Sequence, residues 1–189
     1  FGHSDGAIVF WSWVGVGLSA AVFAGYANGL MMIALWAIYL SIDHIGLRWY
    51  GFGWESQLLE TGFLAIFLCP LLDGRPFSAR PPPKVVIWLF WWLIFRIMLG
   101  AGLIKIRGDD CWRDLTCLIY HYETQPIPHP LSWLLHQAPA WFHQSGVLYN
   151  HLVELVCPFL IVGPRRVRHL AASLMLVFQI MLILSGNLS

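Results

Sequence analysis

The residue types that can do chemistry crowd into one polar stretch, "KIRGDDCWRDLTCLIYHYETQPIPHP", Lys105 to Pro130. Cys111 and Cys117 bracket "WRDLT" within it. On an oxidising face of a membrane this pair would close a small disulfide ring; the alternative is two free structural thiols. The C-x5-C spacing is not the C-x-x-C of a thiol oxidoreductase, and no second dithiol is near in sequence, which argues against redox catalysis. Cys69 and Cys157 each precede a proline at a helix end, and burial as small hydrophobes accounts for them. Five of the eight histidines, 121, 129, 136, 143 and 151, fall between the same loop and the next apolar run, with Glu123 two residues from His121. No pair has the i, i+3 or i, i+4 spacing that sets two imidazoles on one helical face, so no metal or haem site and no cofactor is expected. The remaining polar loop residues, Lys105, Arg107, Asp109, Trp112, Arg113, Asp114, His121, Glu123 and Gln125, are candidates for an interaction surface rather than a catalytic set.

A second group of candidates lies inside apolar runs, where charge is costly and therefore informative: Glu60, Arg96 and Glu154. Arg96 needs a partner, and the candidates are Glu154, the expected one, and Glu60, with Trp92 one turn earlier placed to stack on the guanidinium. Such a pair would tie the fourth and fifth spans together. It reads first as a helix-locking ion pair and second as part of a substrate or proton path.

The elements that must position these residues are written in the composition. The 189 residues are 58% hydrophobic and 11% charged, with 11 Trp and 12 Phe, and the mean hydropathy is +0.66. This is a membrane protein whose first partner is lipid, and its formal charge of +1 offers no basic face for nucleic acid. A span needs roughly 20 apolar residues, so the chain holds about five or six and little else. The fold class is all-α, a polytopic helix bundle forming a single transmembrane domain, residues 1–189. Expected spans are Ala7 to Ala24, Leu30 to Ile45, Ser56 to Leu72, Val85 to Ile104, Val147 to Val162 and Leu170 to Leu184. Leu131 to Phe142 is too short to cross and reads as interfacial. Gly100, Ala101 and Gly102 offer a close-approach surface at the end of the fourth span, and "NLS" at Asn187 matches a glycosylation sequon. The chain opens without Met and stops just past a helix, which reads as a fragment of a longer protein.

Counting Lys and Arg in alternate loops sets the orientation. Arg75, Arg80, Lys84, Arg165, Arg166 and Arg168 share one side, against Arg48, Lys105, Arg107 and Arg113 on the other. The first side is expected to be cytoplasmic, which puts the Cys-bearing loop in the lumen or periplasm.

Five stretches, "WESQLLETGFLAIFLCP", "RIMLGAGLIKIRGDDCWRDLTCLIYHYETQPIPHPLSW", "WFH", "NHLVELVCPF" and "FQIMLILSGNLS", resemble the membrane region of the lipase maturation factors. The resemblance runs from about Gly46 to Ser189. It implies a multi-pass protein of the endoplasmic reticulum membrane, or of the inner membrane for a bacterial member. Such a protein helps secreted lipases, lipoprotein lipase among them, fold and assemble as active dimers. Family members continue into a large lumenal C-terminal domain associated with client binding, which this sequence does not include. Two other readings stay open: a structural subunit of a larger membrane complex held by other membrane subunits, and a membrane redox or cofactor-binding enzyme. Similar multi-helix folds in vitamin K-dependent carboxylases and DoxX-like proteins are analogies of fold alone.

Overall fold

A computed structural model describes residues 4–78, 80–125 and 128–186. Among the described residues every regular element is a helix: α1 (Asp5–Phe23), α2 (Gly29–Gly46), α3 (Gly53–Ile66), α4 (Lys84–Gly108), α5 (Asp110–Arg113), α6 (Cys117–His121), α7 (Pro130–His136), α8 (Ala140–His151), α9 (Cys157–Leu160) and α10 (Arg165–Ser185). Four segments are long and apolar enough to cross a bilayer: α1, α2 with the 3₁₀ turn that follows it, α4 and α10. The expected five or six is thus approximate, with α3 and the continuous rod from Ala140 to Leu160 as the remaining longer helical segments. The chain folds as two compact units, one ending at Phe90 and one beginning at Trp91, so that α4 contributes to both.

In the first unit, helix starts are set by side-chain caps. Ser4 accepts from the Ala7 N–H at 3.3 Å, with Asp5 in the positive first turn, and Asn28 accepts from Met31 at 3.0 Å. α2 packs between α1 and α3, and the Trp36 indole donates to the Leu59 carbonyl at 2.9 Å. Glu55, only 3% exposed, receives the Tyr39 hydroxyl, which supplies the partner that a buried carboxylate requires. α3 ends at Ile66, short of the expected Leu72. Pro70 disfavours helical backbone at Cys69, and at ~1.5 Å per residue the 14 residues of α3 fall short of the ~30 Å hydrocarbon core. The chain after α3 folds back on the α1–α2 turn: Gly29 donates to the Pro70 carbonyl and Phe77 to the Gly25 carbonyl, both at 2.9 Å. Asp73 fastens this return by accepting from the backbone and guanidinium of Arg75 and from Ser78. The hydrogen bonds from Arg75 hold its carboxyl well below the usual carboxylate range.

In the second unit α4 and α10 run parallel, with the α8–α9 rod antiparallel between their ends. At one end the Arg168 guanidinium lies 4.7 Å from the Trp91 ring; at the other the Lys105 ammonium lies 5.9 Å from the Phe178 ring. Phe95 meets Phe159 edge-on at 5.1 Å along the way. Val153, Cys157 and Ala171 are fully buried in the core, together with Met98, Met175 and Phe178. The rod contains a π turn, Leu152–Val156. Its cause is Pro158, which has no N–H to return to the Glu154 carbonyl and would clash with it in a regular helix. The segment expected to be interfacial, Leu131 to Phe142, is instead divided. α7 starts at Pro130, with reciprocal capping between His129 and Ser132, and α8 starts at Ala140 behind the extended Pro139, seven residues before the expected span.

Outward faces are apolar, as lipid demands: Trp13 is 70% exposed and Phe23 93%. Gly25 has φ +99°, and a Cβ there would sit 2.7 Å from the Phe77 ring. Gly25→Ala should therefore destabilise the first unit by about 1–3 kcal/mol through backbone strain and overpacking. Gly17→Ala, in the middle of α1 with nothing within 4 Å of its Cβ, should be neutral or stabilising by up to ~1 kcal/mol. Denaturation midpoints of the two purified variants give the comparison.

Candidate functional site

Glu154 is 3% exposed, and its Oε1 lies 2.5 Å from the Lys105 ammonium. Lys105 also donates to the Asn150 Oδ1 at 3.2 Å and stands 5.0 Å over the Trp112 ring. In the structure Glu154 meets Lys105, whereas the sequence pointed to Arg96. Arg96 sits nine residues earlier on α4, about 13 Å along the axis at ~1.5 Å per residue, so the carboxylate that meets Lys105 cannot also meet Arg96. Trp92, expected beside Arg96, stacks on Phe95 at 5.6 Å. Two backbone features bring the acid to the lysine. The π turn carries Glu154, and Gly102 lets it approach, since a Cβ there would lie 3.0 Å from the Glu154 Cβ and 2.6 Å from Leu155. Of the small residues expected to form this contact, Gly100 takes no part, since a Cβ added to it would meet nothing within 4 Å.

The polar loop is fastened over this pair. Asp109 caps α5 by accepting from the Cys111 N–H at 2.9 Å, and Asp110 pairs with Arg113 at the surface. Cys111 and Cys117 have their Cα atoms 4.7 Å apart and their sulfurs facing at bonding distance, within the range that a disulfide requires. His151 Nε2 lies 2.9 Å from the Trp112 carbonyl. A carbonyl only accepts, so this nitrogen carries the hydrogen, while the buried Nδ1 has no partner. At the far edge of the loop the Ser132 hydroxyl and the Gln125 amide reach the Ser185 carbonyl at 2.7 and 3.1 Å. These bonds satisfy one of the carbonyls left open at the end of α10.

Of the expected interaction residues, the structure thus brings Lys105, Asp109, Trp112 and Gln125 into one cap, with Arg113 at its edge. Arg107, Asp114 and Glu123 remain exposed, and Asn187 lies outside the described residues. Asn150, His151, Ser132 and Ser185 belong to the cap but were not among the expected cap residues. Asn150 and Glu154, four residues apart, carried the one readable signal, a polar face on an otherwise apolar helix. Among the described residues no three His, Cys, Asp or Glu side chains converge as a metal-ligand set.

Beneath the cap is a cleft of about 770 Å³. Leu118, Leu135, Phe142, Met181 and Leu182 form much of its wall, and Lys105, His121, Tyr122 and Asn150 supply polar groups. Burial, and then the Lys105 ammonium, hold His121 below the ordinary histidine range; burial raises the Tyr122 phenol. Both side chains are therefore uncharged at neutral pH.

Comparison with known proteins agrees with a chain of membrane helices. Residues 1–189 match the lipase maturation factor transmembrane domain. The chain belongs to the lipase maturation factor family. It is 54% identical to lipase maturation factor 1 of Bos taurus over 99% of its own length and 34% of that protein. Against lipase maturation factor 1 of Homo sapiens the identity is 56% over 93% of this chain and 31% of the relative. Lipase maturation factor 2 of Homo sapiens is 37% identical over 91% and 26%. The chain thus spans about a third of the length of its lipase maturation factor 1 relatives. No solved structure matches it.

The Lys105–Glu154 contact makes a direct prediction. Lys105→Met leaves a buried carboxylate uncompensated and should cost about 3–5 kcal/mol, much of it recovered in Lys105→Met/Glu154→Leu. A double-mutant cycle by denaturation should give coupling of at least ~1 kcal/mol for Lys105 with Glu154 and within ~0.5 kcal/mol of zero for Arg96 with Glu154.

Proposed function

We propose that this chain is the membrane part of an assembly factor of the endoplasmic reticulum, with the cap as a stiff lumenal platform for the maturation of secreted lipases. The observation that carries the reading is the way the cap spends its polar groups. Lys105, Asn150, His151, Ser132 and Gln125 engage one another, Glu154 and backbone carbonyls, which is how a scaffold is held rather than how a reactive group is poised. The family supports the lipase connection, since its members are named for lipase maturation. The two ends of the second unit support the orientation. Arg165, Arg166 and Arg168 open α10 at the end opposite the cap, and a basic cluster favours the cytoplasmic side. The cap then faces an oxidising lumen, where a Cys111–Cys117 bond persists. On this reading the activity is assembly of clients and not catalysis.

Two experiments check this. Alkylation of the full-length protein in intact membranes should leave Cys111 and Cys117 unlabelled until reductant is added, and labelling of both without reductant refutes the bond. Cells carrying the full-length protein with Cys111→Ser/Cys117→Ser, co-expressing a secreted homodimeric lipase, should release several-fold less lipase activity than wild type while the factor itself accumulates normally. Unchanged lipase secretion from such cells would show that the cap is not a maturation platform.

A further inference from the structure

The chemistry of the cleft beneath the cap is that of a ligand site. Its volume of about 770 Å³ lies inside the ~300–1,000 Å³ range of small-molecule sites, which are mostly apolar with a few convergent polar groups. The wall fits that description: Leu135 of α7, Phe142 of α8 and Met181 of α10 face it, and Leu118 of α6 closes a side. The polar groups are few and clustered. Lys105 has three N–H bonds and directs two of them to Asn150 and Glu154, which leaves one donor on a residue that lines the cleft. Its charge is balanced by Glu154 at 2.5 Å. His121 and Tyr122 add polar groups on the same lining, both uncharged at neutral pH.

These features select the occupant. The apolar walls of the cleft suit an acyl chain, of which a membrane is a ready source. A space of about 770 Å³ suits a ligand with one chain and a small head. A net-neutral lysine–glutamate pair with a spare N–H recognises a hydrogen-bond acceptor without calling for an anion, because an added negative charge would face the buried Glu154 carboxylate as well as the ammonium. We propose that the cleft under the cap binds a single-chain lipid whose head is uncharged and accepts hydrogen bonds, of the monoacylglycerol type, with Lys105 directing its free N–H at the head oxygen. The proposal is independent of the assembly function, because it rests on the cleft alone.

The test uses the full-length protein in phosphatidylcholine nanodiscs and a monoacylglycerol with a photoreactive diazirine in its chain. Crosslinks should concentrate on the peptides of α7, α8 and α10 that line the cleft, and unlabelled monooleoylglycerol should compete them away. Leu135→Trp and Met181→Trp fill the cleft from two different helices, and each should lower labelling about tenfold, equivalent to ~1.4 kcal/mol of affinity, with the melting temperature retained. Where one of the two fails to fold, the other decides. Oleate at pH 8, with the same chain and an ionised head, should compete at least about tenfold more weakly. Labelling spread evenly over α1 and α2 as well, or labelling unchanged in a folded wall variant, overturns the site. Oleate competing as well as the neutral lipid overturns the uncharged-head specificity. Lipase secretion is not measured in this experiment, so failure of the assembly role leaves its outcome unaffected.

Discussion

The contact between Lys105 and Glu154 is the constraint on which the second unit depends. Either charge alone would be expensive at this depth, of order several kcal/mol for an uncompensated ion away from water. The cost is offset only because one carboxylate oxygen, one amide oxygen and one indole face meet the ammonium together. That requirement explains two oddities of the backbone. Gly102 stands where any side chain would hold α4 away from the acid, and the π turn around Glu154, forced by Pro158, widens the helix where the acid must project.

The polar loop follows from the same contact. A chain leaving α4 at the membrane boundary must find partners for every backbone group before it re-enters apolar surroundings. It does so within a few residues: Asp109 caps one short helix, the Trp112 carbonyl takes the His151 N–H, and Gln125 and Ser132 meet the last exposed carbonyls of α10. Each of these partners sits on α8, α10 or the loop itself, so the loop is positioned only where the three long elements are already in register. The lysine pair supplies that register.

Much of this was legible in the sequence, and the exceptions have physical causes. Composition and apolar run length were enough for an all-helical membrane protein, because lipid leaves the backbone few alternatives. The end of α3 was set too late, since the apolar residues before Pro70 were counted as helix, and the start of α8 was missed because the break at Pro139 was read as part of an interfacial segment. The ion pair was assigned to Arg96 because a charge in mid-span looks most in need of a partner, whereas Lys105 looked like a boundary marker whose long stem reaches water. The structure turns Lys105 inward. Which of two basic residues on one helix faces a given acid depends on helix register and on the extra residue of a π turn, and neither has a periodicity to read. The loop residues were recognisable as a group, but the cleft beneath them was not, since its wall comes from several helices spread over some eighty residues.

Lys105, Trp112, Asn150 and Ser185 belong both to the cap and to the lining of the cleft. A group shared in this way cannot be rearranged at one place without a cost at the other. Anything that occupies the cleft only while the cap is closed must stabilise the closed cap, and by reciprocity whatever orders the cap from outside must tighten binding within. The size of that coupling is limited by how differently the occupant binds the closed and open arrangements, and the shared lysine, held by Asn150 and Glu154, is where that difference would arise. A platform built on this lysine is therefore a surface whose order can respond to what lies in the membrane beneath it.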